Sequence, residues 1–436
     1  MIKLIAEILI SAAFAYFVSG KARDSLTPWA LAVILGSSAM SPYMHPGLFS
    51  FFVFANFFSS CFVTNGYKLR YLVRNPVLCL FLLFWGWQCL SMCFGEYVSY
   101  SVVYFLQIPF ESISLGYFVA FWAMQKPENW DKLMKAITIV LAVVVLVYLK
   151  EGAFSERMGY EETFRSALGL DEENSANPNW VGLVIIGILP YSVLSLLRAV
   201  SKKDMKHGVL AFVVASMLAL ALVRTGSRNA CLGLIPLVLY SVFNGTRLSF
   251  VKRITTVVVL FTVLVLLIGK TTSSVSDLRL FSISKTGDIS SGRFDHFRYK
   301  MLYHLSPKER WFGCGAWLDY PMEGQIKLAN GHSVPVQILR QSGYVGMGLF
   351  LIFSLALVRR CLRCGPQGRL ALTLFCVWLF TGVGESGPLL SGGGGSKILL
   401  GMAIALCSHL SPCVQDFSRQ FNPRRILPSD RPNMLF

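Results

Sequence analysis

The chain has 436 residues, 54% of them apolar and only 14% charged, with a mean hydropathy of +0.56. A soluble domain carries roughly 25% charged residues, so this composition excludes a soluble globular enzyme and indicates a polytopic membrane protein. The 40 Lys and Arg against 23 Asp and Glu leave a formal charge of +17. In so apolar a chain that excess reads as cytoplasmic loop residues rather than a nucleic-acid surface.

Thirteen apolar segments follow one another, at residues 2–19, 29–43, 47–63, 76–94, 102–123, 133–149, 179–198, 207–223, 228–244, 253–269, 343–358, 369–384 and 396–410. They are too long and too evenly apolar for half-buried strands, so each is expected to be a helix. The predicted fold is an all-α polytopic membrane protein with twelve or thirteen transmembrane helices and one large periplasmic loop containing short helices. Residues 1–269 form an N-terminal transmembrane bundle with an outer loop at 150–178. Residues 270–342 form the large loop, 343–410 the C-terminal transmembrane helices, and 411–436 a cytoplasmic tail. The Gly392–Gly395 run is expected to be a flexible turn.

Basic loops set the orientation. Lys68, Arg70 and Arg74 mark one cytoplasmic loop; Lys126, Lys132 and Lys135 a second; Arg198, Lys202, Lys203 and Lys206 a third. Arg247, Lys252 and Arg253, then Arg359, Arg360, Arg363 and Arg369, mark two more, and the tail from Arg419 is also inside. Alternation places 150–178 and 270–342 outside. Lys21 and Arg23 put Met1 outside if every segment spans, and inside if one of the first three does not. No small-x-small site follows the first apolar run, so a cleaved signal peptide is not expected.

Eleven cysteines form no disulfide framework, since Cys79, Cys89, Cys93, Cys231, Cys376 and Cys407 lie within apolar runs and act there as small hydrophobes. Cys361 and Cys364 form a CxxC without the second pair or histidine that a zinc site needs. Glu7, Glu111 and Lys397 are the main ionisable residues within spans, fewer than an ion-coupled transporter would use, and each reads as snorkelling or locally paired.

The 270–342 loop breaks the charge rule for an outer segment. Lys270, Arg279, Lys285, Arg293, Arg298, Lys300, Lys308, Arg310, Lys327 and Arg340 face six acidic residues, an excess of +4. An anionic ligand accounts for this better than a solvated surface, and phosphate matches arginine bidentately. Within the loop, Ser333 can cap a helix whose first turn tolerates Pro335, leaving His332 at a helix N-terminus where the ring stays neutral and can accept a proton. The alternative is a surface histidine. Arg228, behind the candidate cap Ser227, opens the 228–244 segment. It reads equally as an interfacial anchor or as a phosphate ligand at headgroup level.

His332-Ser333, nine residues, Gly343, two residues and Gly346 have the form H[NSQ]-x9-G-x-x-[GTY], and Arg228-x3-Leu232 has the form R-x3-L. Together they resemble the signatures of the bacterial O-antigen ligases, within the superfamily that also holds O-antigen polymerases and oligosaccharide transferases. Ser227-Arg228-Asn229-Ala230, Asn177-Pro178-Asn179, Ser291-Gly292-Arg293 and Trp311-Phe312-Gly313-Cys314-Gly315 are similar to further elements of that family. The matching stretches run from about 165 to 384; the first 150 residues match only in hydropathy.

The resemblance implies a multi-pass enzyme of the bacterial inner membrane, working at the periplasmic face. Its donor would be a glycan on undecaprenyl pyrophosphate and its acceptor lipid A-core or another glycan, with membrane lipids around it and no nucleic acid. His332 would be the general base and Arg228 a catalytic pyrophosphate ligand, with Arg293 and Arg165 binding substrate. Arg165 can equally be a solvated residue of the mixed-charge run 161–165. No Asp-x-Asp motif is present, Asp171, Glu172 and Glu173 read as solvated, and neither metal nor cofactor is expected. His296 and His304 compete for the role of base but belong to an expected interfacial helix at 295–305. The rival readings are a polymerase joining lipid-linked repeat units and, from another class, a lipid-linked glycan flippase or exporter. The 270–342 loop far exceeds the 150–178 loop, which modestly favours a ligase over a polymerase.

Overall fold

The computed structural model describes residues 75–92, 127–150, 178–224, 227–243, 306–315, 318–319, 327–328, 333–383 and 394–408, with a few isolated positions besides. The expected segments at 2–19, 29–43, 47–63, 102–123 and 253–269, the 150–178 loop, most of the 270–342 loop and the 411–436 tail lie outside the described residues.

The first three described helices open on proline: α1 (Pro76–Met92), α2 (Pro127–Lys150) and α3 (Pro178–Lys202). Proline is suited to a first turn, where its missing N–H has no intrahelical acceptor. Ahead of α1, the Asn75 side chain accepts from the Val77 amide at 3.1 Å and so caps the helix. Then follow α4 (Met205–Arg224), α5 (Arg228–Leu232), α6 (Leu234–Phe243) and α7 (Pro307–Phe312). Last come α8 (Val334–Arg363), α9 (Gly365–Val383) and α10 (Gly394–Ser408).

The described chain is helical except for a two-residue antiparallel pairing of Leu318–Asp319 with Lys327–Leu328, inside the large loop. Among the described residues three helical stretches are long and apolar enough to cross a membrane: Gly182–Lys202, Met205–Val223 and Val334–Arg363. α1 and α9 are apolar but shorter.

Three segment boundaries differ from expectation. The 228–244 segment is two helices that meet at Gly233, where a Cβ would stand 2.7 Å from both Ile186 Cγ1 of α3 and Thr381 Oγ1 of α9. The helix expected behind Ser333 runs on into the 343–358 segment, but is broken at Gly343. Gly394 and Gly395 belong to α10 rather than to a turn.

An aromatic core joins α1, α8 and α9. Phe81 meets Phe353 at 5.4 Å, Phe84 meets Phe350 at 5.5 Å, and Phe375 stacks on Trp378 at 5.9 Å. Offset and tilted contacts of this kind add about 0.5–1.5 kcal/mol each beyond their buried area. α3 and α10 pack centrally, where the buried Tyr191 hydroxyl donates to Met402 Sδ at 2.8 Å. Leu83, Val143, Leu146, Leu351 and Leu355 are exposed, as side chains facing lipid should be. At the basic end of α8, Cys361 Sγ lies 2.9 Å from Cys407 Sγ, and Arg360 Nε donates to the Cys407 carbonyl at 2.7 Å.

The basic ends of α2, α3 and α4 are tied by charge. Asp131 of α2 pairs with Arg198 and Lys202 of α3, and Lys135 of α2 reaches Asp204 at 2.8 Å. Thr138 Oγ1, Ser195 Oγ and His207 Nε2 extend the connection at 2.6 and 2.8 Å. α3 ends in a Schellman turn: the Lys203 amide donates to the Val200 carbonyl at 3.2 Å and the Asp204 amide to the Ala199 carbonyl at 3.0 Å. The left-handed position, normally glycine, is Lys203 at φ 60°, which costs about 1–2 kcal/mol for a residue with a Cβ.

Burial pushes the Asp131 carboxyl up, but hydrogen bonds from Arg198 and Lys202 outweigh it and hold the group below its usual range. A lowered folded-state value stabilises the protein above the unfolded carboxyl range, and that contribution disappears as pH falls through the folded value. The thermal midpoint in detergent should therefore drop below about pH 4. Asp131→Asn should lower the midpoint at pH 7 and flatten the acid limb; an acid limb as steep as the wild type's would assign it to other carboxylates.

Candidate functional site

The site is built around the break in α8. Gly343 has φ 63° and ψ −166°, a region open essentially to glycine alone. The break divides α8 into a half-helix, Val334–Ser342, and a longer stretch from Tyr344 to Arg363. In an unbroken helix the carbonyls of residues 340–342 would accept from amides four residues on. Here each is met from elsewhere. The Cys314 amide donates to the Arg340 carbonyl at 3.0 Å and the Gly315 amide to the Gln341 carbonyl at 3.0 Å. Trp87 Nε1 of α1 donates to the Ser342 carbonyl at 2.9 Å.

The donors arrive on α7 and the turn after it. Ser306 and Glu309 form a capping box, with Pro307 in the first turn, and α7 stops at Gly313. Gly313 (φ 86°) lies so close to the Gln341 carbonyl that a Cβ would overlap it, and a Cβ on Gly343 would overlap the Trp311 backbone. Glycine on both sides is what lets the two backbones touch. Trp311 packs edge-on against Tyr344 at 5.5 Å and Phe312 lies 6.1 Å from Trp87. Trp311, Phe312 and Tyr344 remain partly exposed, as aromatic rings at a membrane interface do. Burial pushes the Cys314 thiol up, which keeps it protonated and unsuited to act as a nucleophile.

Ser333 is the N-cap of α8 and Pro335 lies in its first turn, as expected, although the Ser333 side chain makes no capping hydrogen bond. Ser227 caps α5, its side chain accepting from the Ala230 amide at 3.4 Å, and Arg228 is the first residue of that helix. Arg228 and Leu232 are four residues apart and share one face of α5.

The C-cap of α5 and the first residue of α8 meet neighbouring residues of α9. Gly233, just past α5, approaches Thr381, while a Cβ on Gly382 would stand 2.8 Å from Val334 Cγ2. This contact fixes the course of the half-helix. Residues 344–363 rise about 30 Å and the 19 residues of α9 about 28 Å. A straight α8 would carry Val334 well past the end of α9; instead the half-helix turns at Gly343 and lies across the bundle end.

Of the predicted site residues, Arg228 is described: it opens α5, the helix whose C-cap Gly233 meets Thr381. His332, Arg293 and Arg165 lie outside the described residues, as do His296, His304 and the acidic run at 171–173. Reasoning from sequence missed Trp87, whose indole stands in for a lost helical donor, and the buried amides of the half-helix. Gln337 and Gln341 are both buried, and Gln341 Oε1 makes no hydrogen bond. An inspection of uncharged polar residues flanking apolar runs would have found the glutamines; nothing marked Trp87.

Trp87→Phe keeps the ring but leaves the Ser342 carbonyl without this donor. A buried acceptor so stranded costs about 1–3 kcal/mol. The expected result is a lower melting midpoint together with faster amide exchange at residues 313–315 and 344–346; unchanged exchange there would dissociate the indole from the break.

The half-helix N-terminus is a patch of partial positive charge. That end of the half-helix favours an anionic headgroup, while exposed aromatic residues flank its other end, at the break, as at a membrane interface. Neither a protein-family model nor a curated protein matches the chain.

Proposed function

We propose that the chain is an O-antigen ligase of the bacterial inner membrane, moving a glycan from undecaprenyl pyrophosphate to a sugar hydroxyl of lipid A-core at the periplasmic face. The observation that supports it most is where the described parts of the spaced motifs fall on the helices. The nine residues between Ser333 and Gly343 are the half-helix itself, the Trp311–Gly315 stretch docks on its break, and the R-x3-L helix reaches the same end of α9.

In this reading the acceptor hydroxyl oxygen attacks the anomeric carbon, its proton passes to His332, and the bond from that carbon to the pyrophosphate oxygen breaks. Charge accumulating on the departing pyrophosphate is met by Arg228, with Arg293 and Arg165 as further ligands. Metal-free arginine chemistry predicts that EDTA leaves transfer by the purified enzyme intact.

The deciding experiment is gene deletion in the native host, followed by analysis of lipopolysaccharide and of undecaprenyl-linked glycan together. Long chains trapped on the carrier with bare lipid A-core are expected. Lipid A-core capped with a single repeat would make the chain a polymerase. No change in either pool would overturn the assignment in favour of another polysaccharide or a flippase or exporter.

A further inference from the structure

The opposite end of the described bundle carries a second candidate site, independent of the proposed transfer reaction. Between the basic ends of α2, α3 and α4 lies a cavity of about 90 Å³ lined by Lys135, Arg198 and Lys202 against Asp131 and Asp204. Both carboxylates are engaged from within the protein, Asp131 by Arg198 and Lys202, Asp204 by Lys135 and by the His207 amide at 3.3 Å. Lys203 and Lys206, next in sequence to the lining residues Lys202, Asp204 and His207, are both exposed, and neither makes an ion pair among the described residues. Lys203 occupies the left-handed turn position that glycine would fill without strain, so the turn itself does not call for a lysine.

Beside these cations runs an apolar stripe. Met205 is 74% exposed, Val209 59% and Val213 49%, spaced four apart and so on one face of α4. A soluble anion has no use for such a stripe, whereas a molecule with a phosphate head and a hydrocarbon tail matches both parts.

We propose that this end of α2, α3 and α4 binds an anionic phospholipid. The headgroup phosphate sits among Lys202, Lys203 and Lys206 beside the cavity, and an acyl chain lies along Met205, Val209 and Val213. Basic pockets between membrane helices select anionic headgroups because each nearby cation adds to the attraction of the negative leaflet surface.

The test uses the full chain purified in a neutral detergent, titrated with dioleoyl-phosphatidylglycerol, dioleoyl-phosphatidylcholine or inorganic phosphate while the thermal midpoint is followed. Phosphatidylglycerol should raise the midpoint saturably, and the other two should not. The double variant Lys203→Gly/Lys206→Gln removes two cations, relieves the left-handed residue and disturbs no ion pair. It should melt no lower than the wild type without lipid, yet bind phosphatidylglycerol about 30-fold more weakly. If the double variant does not fold, Lys206→Gln alone is read the same way, with about five-fold weakening. Equal responses to the two lipids, an unchanged response in the variant, or reproduction of the shift by inorganic phosphate would each overturn the proposal.

Discussion

Replacing Gly343 by alanine is expected to be among the most damaging single-methyl changes in the chain. Two costs combine. The backbone conformation at φ 63° and ψ −166° is strained for any residue with a Cβ, at about 1–3 kcal/mol. The added methyl also overlaps the Trp311 backbone, and backbone cannot yield as a side-chain tip can, which adds about 1–3 kcal/mol of overpacking. Relief requires α7 and the following turn to lift away, and the amides of Cys314 and Gly315 then lose the Arg340 and Gln341 carbonyls. The melting midpoint should fall by several degrees, and glycan transfer should be lost even in protein that reaches the membrane. Gly348 is the matched control: it lies in the same helix, and a Cβ there meets nothing within 4 Å. Gly348→Ala should be neutral or stabilise by up to about 1 kcal/mol. Equal effects of the two substitutions would mean that the backbone contact at Gly343 is not what holds the break.

His332→Ala should lower transfer by about 100- to 10,000-fold, the range expected when a general base is removed. The variant should insert and melt like the wild type, since the capping geometry of α8 rests on Ser333 and the residues after it. Initial rates of transfer from undecaprenyl pyrophosphate-linked glycan to lipid A-core, measured across pH, distinguish the roles. A lost base removes the acidic limb of the rate profile, whereas a residue that only binds substrate raises KM and leaves the limb in place. Residual transfer above a tenth of wild type would move the base elsewhere.

Much of the described helical framework was legible because each long apolar run bounded by Pro, Gly or basic residues has few alternatives in a membrane. The start of α8 was legible from Ser333 and Pro335. Its break was not: Gly343 is visible as a motif position, yet nothing in the sequence says that the nine residues before it form a separate half-helix. The reason lies in contacts remote along the chain, with Trp87 and the 313–315 turn replacing hydrogen bonds the helix gives up. The split at Gly233 was hidden too, and the close approach to Ile186 and Thr381 found there is likewise remote along the chain. Lys203 in a left-handed turn runs against local preference outright, and so could not be read from it. At the candidate site, the search for charge found Arg228 but passed over Gln337 and Gln341, because buried amides leave no mark on a tally of ionisable residues.

The length of α8 beyond its break has a consequence for depth in the bilayer. Residues 344–363 rise about 30 Å in all, the hydrocarbon thickness, with Arg360 and Arg363 in their last turn. With those arginines anchored among headgroups on one side, the apolar stretch 344–358 covers about 22 Å of the layer and brings the half-helix near its opposite boundary. The segment from Tyr344 to Arg363 thus works as a ruler. It places the glycine break toward the far boundary of the hydrocarbon layer from the arginines.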